Sequence, residues 1–403
     1  MEAELLKSQI NYALYPQEVL AAINTNSNSV SIGIPREDDF QENRIPLTPN
    51  SVASLVSLGC RVTIEADAGT AANFYDEAYI NAGADIVYDK DAVFKMNTIL
   101  KSAPISAREL SLIQNNQTII SPILLPSMTK NCIKTLINKK VTALAFEYIK
   151  GEHNTFPILR SMSEIVGNYS VSLAAQYLSG ENGRGILFGG IAGQPPAKLV
   201  IIGAGTVGEN ACRVALALGA SVAVFDDNIY RLTRLPNNLG VKVYTSVLDP
   251  INLAKNLSRA DVVIGALSPE NGKTPLVVSE DMVRGMKKGA VIIDVDIDGG
   301  GSFETAMVTT NEQPIYVKHN VIHYCVPNIA SNVPKTASYA MSNVLAPILK
   351  NANKVAGIEQ LIKFDAGFRN GVYIYKGALT KPFIAQQFEL KYTNLELILS
   401  ADF

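Results

Sequence analysis

The sequence predicts an α/β fold of two doubly wound, mostly parallel sheets, one inserted into the chain of the other. Three observations predict it. Apolar strand patterns alternate with helical patterns along most of the 403 residues, the rhythm of a parallel sheet covered on both faces. Near the middle, an apolar run opens into a glycine-rich turn and then an Ala/Leu-rich helical pattern. A long helical pattern stands on each side of that central region, so the two chain ends can complete one outer unit.

Residues 1–29 are expected to form a helical extension that closes in the polar connector Asn24-Thr-Asn-Ser-Asn-Ser29. Regular alternation begins with Val30-Ser-Ile-Gly-Ile34, followed by a helix from Pro49 to Leu58 and a strand at Arg61–Glu65. Further strands are expected at Ala84–Val87, Thr98–Leu100, Thr118–Ile120 and Thr142–Phe146, so residues 30–160 form the first part of the outer domain. From Ser161 to Leu178 a helical pattern leads through a Gly-rich stretch into a second domain, residues 161–330. Its later strands fall at Val241–Tyr244, Asp261–Gly265 and Ala290–Asp294. Another long helix, Thr336 to Ala352, opens the second part of the outer domain, residues 331–403, with Pro347 a point where it can kink.

The central turn carries the most specific chemistry. Leu199-Val-Ile-Ile-Gly203-Ala-Gly205-Thr-Val-Gly208 is a strand opening into glycines at GxGxxG spacing, and a second strand, Ser221–Phe225, ends in Asp226. Gly203 permits the tight turn, Gly205 lets backbone approach a pyrophosphate, and Gly208 lets helix pack on strand. The helix N-terminus faces the phosphates. Asp226 would accept hydrogen bonds from an adenosine ribose and repel a 2′-phosphate, which favours NAD over NADP.

Composition excludes several classes. The formal net charge is −2 and no Lys/Arg cluster marks a basic face, so neither nucleic acid nor an anionic membrane is expected as a partner. The cysteines at 60, 132, 212 and 325 are scattered without metal-type spacing, so no metal is expected and they read as reduced thiols of a cytoplasmic protein. No apolar run approaches the ~20 residues of a membrane span.

Six segments together resemble the alanine dehydrogenase and transhydrogenase α-subunit family. They are Ile32-Gly-Ile-Pro-Arg-Glu37, Arg44-Ile-Pro-Leu-Thr-Pro49, Met162-Ser-Glu-Ile-Val-Gly167, the glycine turn, Asp294-Val-Asp-Ile-Asp298-Gly-Gly, and His323–Asn328 continuing through Pro334-Lys-Thr336. The last is closer to alanine dehydrogenase. The resemblance implies two Rossmann-like domains, an NAD-binding one inserted into a discontinuous flavodoxin- or Rossmann-like substrate domain. It implies oxidative deamination of L-alanine to pyruvate and ammonia, and a homo-oligomer, hexamer or dimer. Two alternatives remain: an NAD(H)-binding protein without alanine turnover, and a dehydrogenase of another amino acid.

Arg44 follows a strand tip, where a guanidinium can grip a carboxylate, and the matching family arginine binds the substrate carboxylate. Lys101, at the next strand end, could hydrogen-bond the substrate carbonyl; it matches either the structural or the substrate lysine of the family pair, depending on a one-residue gap. Asp298 matches the catalytic aspartate. The family's catalytic histidine falls at Leu124 or Leu125, neither of which moves a proton, and His153, His319 and His323 are no obvious substitutes. By resemblance, Thr206 and Val207 serve the pyrophosphate, Asp226 and Arg231 the ribose, and Leu267 and Ser268 the adenosine side. Ser163, Val295, Asp296, Ile297, Asp298, Val326, Pro327, Asn328 and Ile329 line the nicotinamide end.

Overall fold

The computed structural model describes residues 30–38, 41–125, 128–267 and 273–401. The expected N-terminal helix and Ser268 lie outside the described residues. Six strands open the chain: β1 (Ser31–Ile34), β2 (Arg61–Glu65), β3 (Asp85–Val87), β4 (Thr98–Leu100), β5 (Thr118–Ser121) and β6 (Thr142–Ala145). Seven build a second sheet: β7 (Lys198–Ile202), β8 (Ser221–Phe225), β9 (Tyr244–Ser246), β10 (Val262–Gly265), β11 (Val291–Asp294), β12 (Ile315–Lys318) and β13 (Val321–Tyr324). The chain then returns, and β14 (Val372–Tyr375) and β15 (Ala378–Leu379) join the first sheet.

The first sheet has the order β15-β14-β6-β5-β4-β1-β2-β3, the second β12-β13-β11-β10-β7-β8-β9. Pairing is parallel except at the β14–β15 and β12 edges. Central strands such as β10 (VVIG) and β11 (VIID) are buried along their whole length, because helices cover both faces. In each sheet the order reverses beside the first strand, so the loops leaving β1, β4, β7 and β10 open the crevices where ligands of such folds sit.

Two long helices pass between the sheets. Pro157–Ser179 starts on a proline at its first turn, as does Pro334–Lys354, where the missing N–H is harmless. They pack on each other, and the first also lies along the helix Thr206–Ala217. A Cβ on Gly167 would stand 2.4 Å from the Val207 carbonyl oxygen, so only glycine permits that crossing. The second helix runs unbroken through Pro347, with Met341, Leu345 and Leu349 buried in the first domain's core.

Several boundaries differ from expectation. The strand expected at Val241–Tyr244 lies at Tyr244–Ser246, because Gly240 caps the preceding helix in the left-handed region (φ 72°) and the next residues serve as its exit. The helix after the glycine turn starts directly on that turn, at Thr206. The edge hairpin β12–β13 was not foreseen; its turn residues His319 and Asn320 both have positive φ, as a type I′ turn requires.

Candidate active site

The glycine turn is shaped by what a side chain would meet. Gly203 sits at φ 114°, and a Cβ there would lie 2.1 Å from the Ala266 carbonyl oxygen. A Cβ on Gly208 would lie 1.9 Å from the Gly203 carbonyl oxygen, so helix and strand touch backbone to backbone. Gly205, by contrast, faces open space and is the N-cap of the Thr206–Ala217 helix without a side-chain cap. Unsatisfied helix amides beside an open backbone edge suit a pyrophosphate. Asp226 is buried at the tip of β8; its Oδ2 accepts from the Ala204 N–H and its Oδ1 from the Asn228 N–H, each at 2.7 Å. Each oxygen keeps a further lone pair for a ribose hydroxyl. Arg231 stands 3.5 Å from Oδ2, and Leu267 is buried at the end of β10.

The second part of the site follows β11. The strand ends at Asp294, as expected, and Ile297–Gly299 makes a 3-10 turn. Asp294 accepts from the N–H groups of Asp296 (3.2 Å) and Ser302 (3.1 Å), and burial pushes its carboxyl up to about 7. Burial, then the neighbouring Asp294, pushes Asp296 up to about 9, while the Leu267 N–H pulls the other way. One Asp296 oxygen, Oδ2, is buried without a protein partner. Asp298 is open to water yet enclosed by the cleft walls. Desolvation raises its pKa; the Asn328 N–H (3.3 Å) and the charge of Arg44 oppose that rise.

Asn328 adopts left-handed backbone (φ 54°), which asparagine tolerates, and so reaches both parts of the site. Its N–H meets Asp298 while its side-chain amide donates to Glu42 Oε2 at 3.0 Å. Val326 and Ile329 are buried on either side, and Pro327 is half-buried. Glu42 also grips Arg44, through Nε (2.7 Å) and Nη2 (2.5 Å), a two-point carboxylate–guanidinium pair. The third nitrogen, Nη1, faces the Met162 sulfur at 3.4 Å, next to the half-buried Ser163. Burial opposes the Arg44 charge, but Glu42, then Glu37 and Asp298, hold its pKa above the ordinary arginine value. The Arg44 loop is pinned to the second long helix, where Ser338 Oγ accepts from the Ile45 N–H and Ser342 Oγ from the Thr48 N–H.

Lys101, left open above between a structural and a substrate-facing place, holds two buried carboxylates. Its ammonium lies 2.5 Å from Glu37 Oε2 and 2.8 Å from Glu109 Oε1, with the side chain 1% exposed. Burial works against that charge, but Glu37 and Glu109 more than offset it and push the group up to about 12. Glu37 in turn accepts from the N–H groups of Ser102 and Ala103. Lys101 thus ties the β1 loop to the end of β4.

Leu124, half-exposed after β5, lines a cavity of about 110 Å³ with Pro104, Leu110, Cys132 and Tyr373. The histidines have local partners. His323 is buried, shares a 2.8 Å hydrogen bond with Thr305, stacks on Tyr316 and is pushed down to about 4 by burial. His319 pairs with Glu280, and His153 is exposed. Sequence reasoning missed Glu42, Glu37 and Glu109. The available signal was Glu42 two residues before Arg44; Glu37 and Glu109 come to Lys101 only in the fold. Among the described residues no group of His, Cys, Asp or Glu is placed to hold a metal ion, and no helix is long and apolar enough to cross a membrane.

Comparison with known proteins identifies the family of the chain. Residues 33–166 match the N-terminal domain of the alanine dehydrogenase/PNT family and residues 170–382 its C-terminal domain. An alanine dehydrogenase 2 of Staphylococcus aureus (strain USA300) is 37% identical over 370 residues, 91% of this chain and 99% of that protein. A solved L-alanine dehydrogenase superposes with a TM-score of 0.83 at 33% identity, covering 89% of this chain and 99% of that one. A transhydrogenase from Sinorhizobium meliloti shares the fold, with a TM-score of 0.72 at 24% identity over 87% of this chain and 99% of that one. The chain therefore belongs to the alanine dehydrogenase/PNT family, with two Rossmann-like domains, and is an NAD-dependent oxidoreductase of the amino-acid dehydrogenase type.

Proposed function

We propose that the enzyme oxidatively deaminates L-alanine to pyruvate and ammonia, and runs the reverse reductive amination. The observation that carries this reading is the Arg44–Glu42–Asn328–Asp298 chain, which couples a buried guanidinium in one sheet's loops to a carboxylate in the other's. In this reading residues 161–330 hold NAD, which supplies the hydride acceptor, and residues 30–160 with 331–403 hold the substrate. Thr206 and Val207 present backbone N–H groups to the pyrophosphate, and Asp226 with Arg231 holds the ribose. Val295 to Asp298 and Val326 to Ile329 enclose the nicotinamide end.

Arg44 binds the substrate carboxylate with the face not spent on Glu42. Asp298 positions the amino group and the water that replaces it. Lys101 acts from behind, by fixing the loops. The family resemblance further supports a cytoplasmic homo-oligomer.

The reading is tested by mixing the protein with NADH, ammonium and a panel of 2-oxo acids. Oxidation of NADH fastest with pyruvate supports it. Preference for a longer aliphatic oxo acid moves the assignment to another amino acid, which the apolar cavity beside Leu124 favours. NADH binding without oxidation by any member of the panel supports the second reading, a nucleotide-binding protein without turnover, which Leu124 in place of a histidine favours.

A further inference from the structure

Deamination needs a group that accepts protons, and Leu124 cannot be that group. Beside it lies a carboxylate that the reaction scheme has not used. Glu147 sits in the 3-10 turn Phe146–Tyr148 that leaves β6, the neighbour of β5 in the first sheet. Its Oε1 accepts from the N–H of Ile123 at 2.6 Å, one residue before Leu124. Its Oε2 is buried with no protein partner. A buried carboxylate oxygen in that state demands a proton or a water molecule.

We propose that Glu147 accepts the proton in this enzyme, through water held in the cavity behind Leu124. The inference rests on the amino-acid dehydrogenase reading. The cavity runs from Leu124, Ser121 and Pro122 to Thr129, Cys132 and Tyr373. Tyr373, on β14, lines this cavity, and after burial and Cys132 the charge of Glu147 adds to the rise of its hydroxyl. Volume is ample: the cavity measures about 110 Å³ against the ~10–15 Å³ that one water requires. Hydroxyls of Ser121 and Thr129 give such water polar partners.

The electrostatics suit the task. Burial pushes Glu147 up to about 7, with the Ile123 N–H pulling it back. The titratable groups facing it are Tyr148 on its own turn and Tyr373 on β14, both raised by burial and so uncharged at neutral pH. Among the described residues it forms no salt bridge with a lysine or arginine. A base whose pKa lies near the working pH combines availability with driving force.

In the hydrolytic step, water adds to the imine carbon. A C–O bond forms and the C=N π pair moves to nitrogen. The proton shed by that water passes through the bridging water to Glu147, which becomes a neutral acid. Glu147 then returns that proton to the nitrogen, the new hydroxyl gives its proton to solvent as its O–H pair closes the C=O bond, and the C–N pair leaves with ammonia. Overall, amino acid, NAD⁺ and water give oxo acid, ammonium, NADH and one proton.

The test compares Glu147→Gln, Glu147→Asp and the wild type in the full chain. Gln keeps an oxygen for the Ile123 N–H but cannot take a proton. The proposal expects Gln to lower kcat ~10²–10⁴-fold with NADH affinity unchanged. In the wild type kcat/KM should rise with pH through an apparent pKa near 7; Gln should abolish that limb, and Asp should restore part of both rate and limb. A purely structural Glu147 would leave the pH profile intact in Gln, and that result overturns the proposal while the dehydrogenase reading stands. Wild-type turnover without a limb near 7 also overturns it, whatever the variants do. A wild type that turns over no amino acid overturns both.

Discussion

At the scale of single residues, Gly205 and Gly208 lie three positions apart and fail for opposite reasons. Gly205 faces open space at ordinary negative φ, so Gly205→Ala should keep the wild-type melting temperature while weakening NADH binding, as titration by fluorescence would show. Gly208→Ala must displace the Gly203 backbone, and its loss should be of folding: a lower melting temperature, with destabilisation of ~1–3 kcal/mol or more. An equal fall in NADH affinity for two equally stable variants would contradict this assignment. Arg44 is bound at two points by Glu42, a geometry that lysine cannot copy. Arg44→Lys should therefore raise the KM for the amino acid at least ~10-fold, the loss of a charge-assisted hydrogen bond, with NADH affinity unchanged in the same titration. The glycine turn and Asp226 stand out in the sequence because the GxGxxG spacing and the next strand tip are local patterns, and Arg44 because its segment resembles the family's. The setting of Lys101 was not, since Glu37 is 64 residues away and meets it only when β1 and β4 align.

Among the elements, the helix Pro157–Ser179 does most to hold the two sheets in one frame. It packs on the Thr206–Ala217 helix that starts the nucleotide turn and on Pro334–Lys354, which anchors the Arg44 loop through Ser338 and Ser342. Gly167 is the closest point of the first crossing. Gly167→Ala should lower thermal stability and NADH affinity together, because the helix that must yield carries the pyrophosphate amides. Calorimetry and NADH titration on the same sample check both. The long helices were legible from their apolar stripes, and the parallel strands from their apolar runs. The edge elements were not. β9 slipped beyond its expected bounds because Gly240 consumes the start of that run as a helix cap, and β12 is too exposed to carry a core pattern.

Across the whole molecule, buried carboxylates set how stability depends on pH. Asp294, Asp296 and Glu147 are raised to about 7, 9 and 7 in the fold. Each binds protons more tightly folded than unfolded, so the stability it lends is complete below its unfolded value and is lost as pH rises through its folded value. Melting temperature should therefore decline from mildly acidic pH to pH 9, and Asp296→Asn, which imitates the protonated acid, should flatten the alkaline part of that decline. An equally steep decline in Asp296→Asn would remove Asp296 from the account. At this scale the sequence foretold two sheets built from a chain that leaves and returns, since alternation and the flanking helices are long-range patterns. It could not foretell the Glu42–Asn328 contact, which exists only once the two units face each other. That contact joins the substrate side to the cofactor side, and the central claim is that both act on one amino acid. The most direct measurement is NADH formation by the full-length protein from L-alanine and NAD⁺ at alkaline pH. Steady alanine-dependent absorbance growth is expected, lowered ~10²-fold or more by Asp298→Asn. Normal NADH binding with no alanine-dependent NADH formation would contradict it.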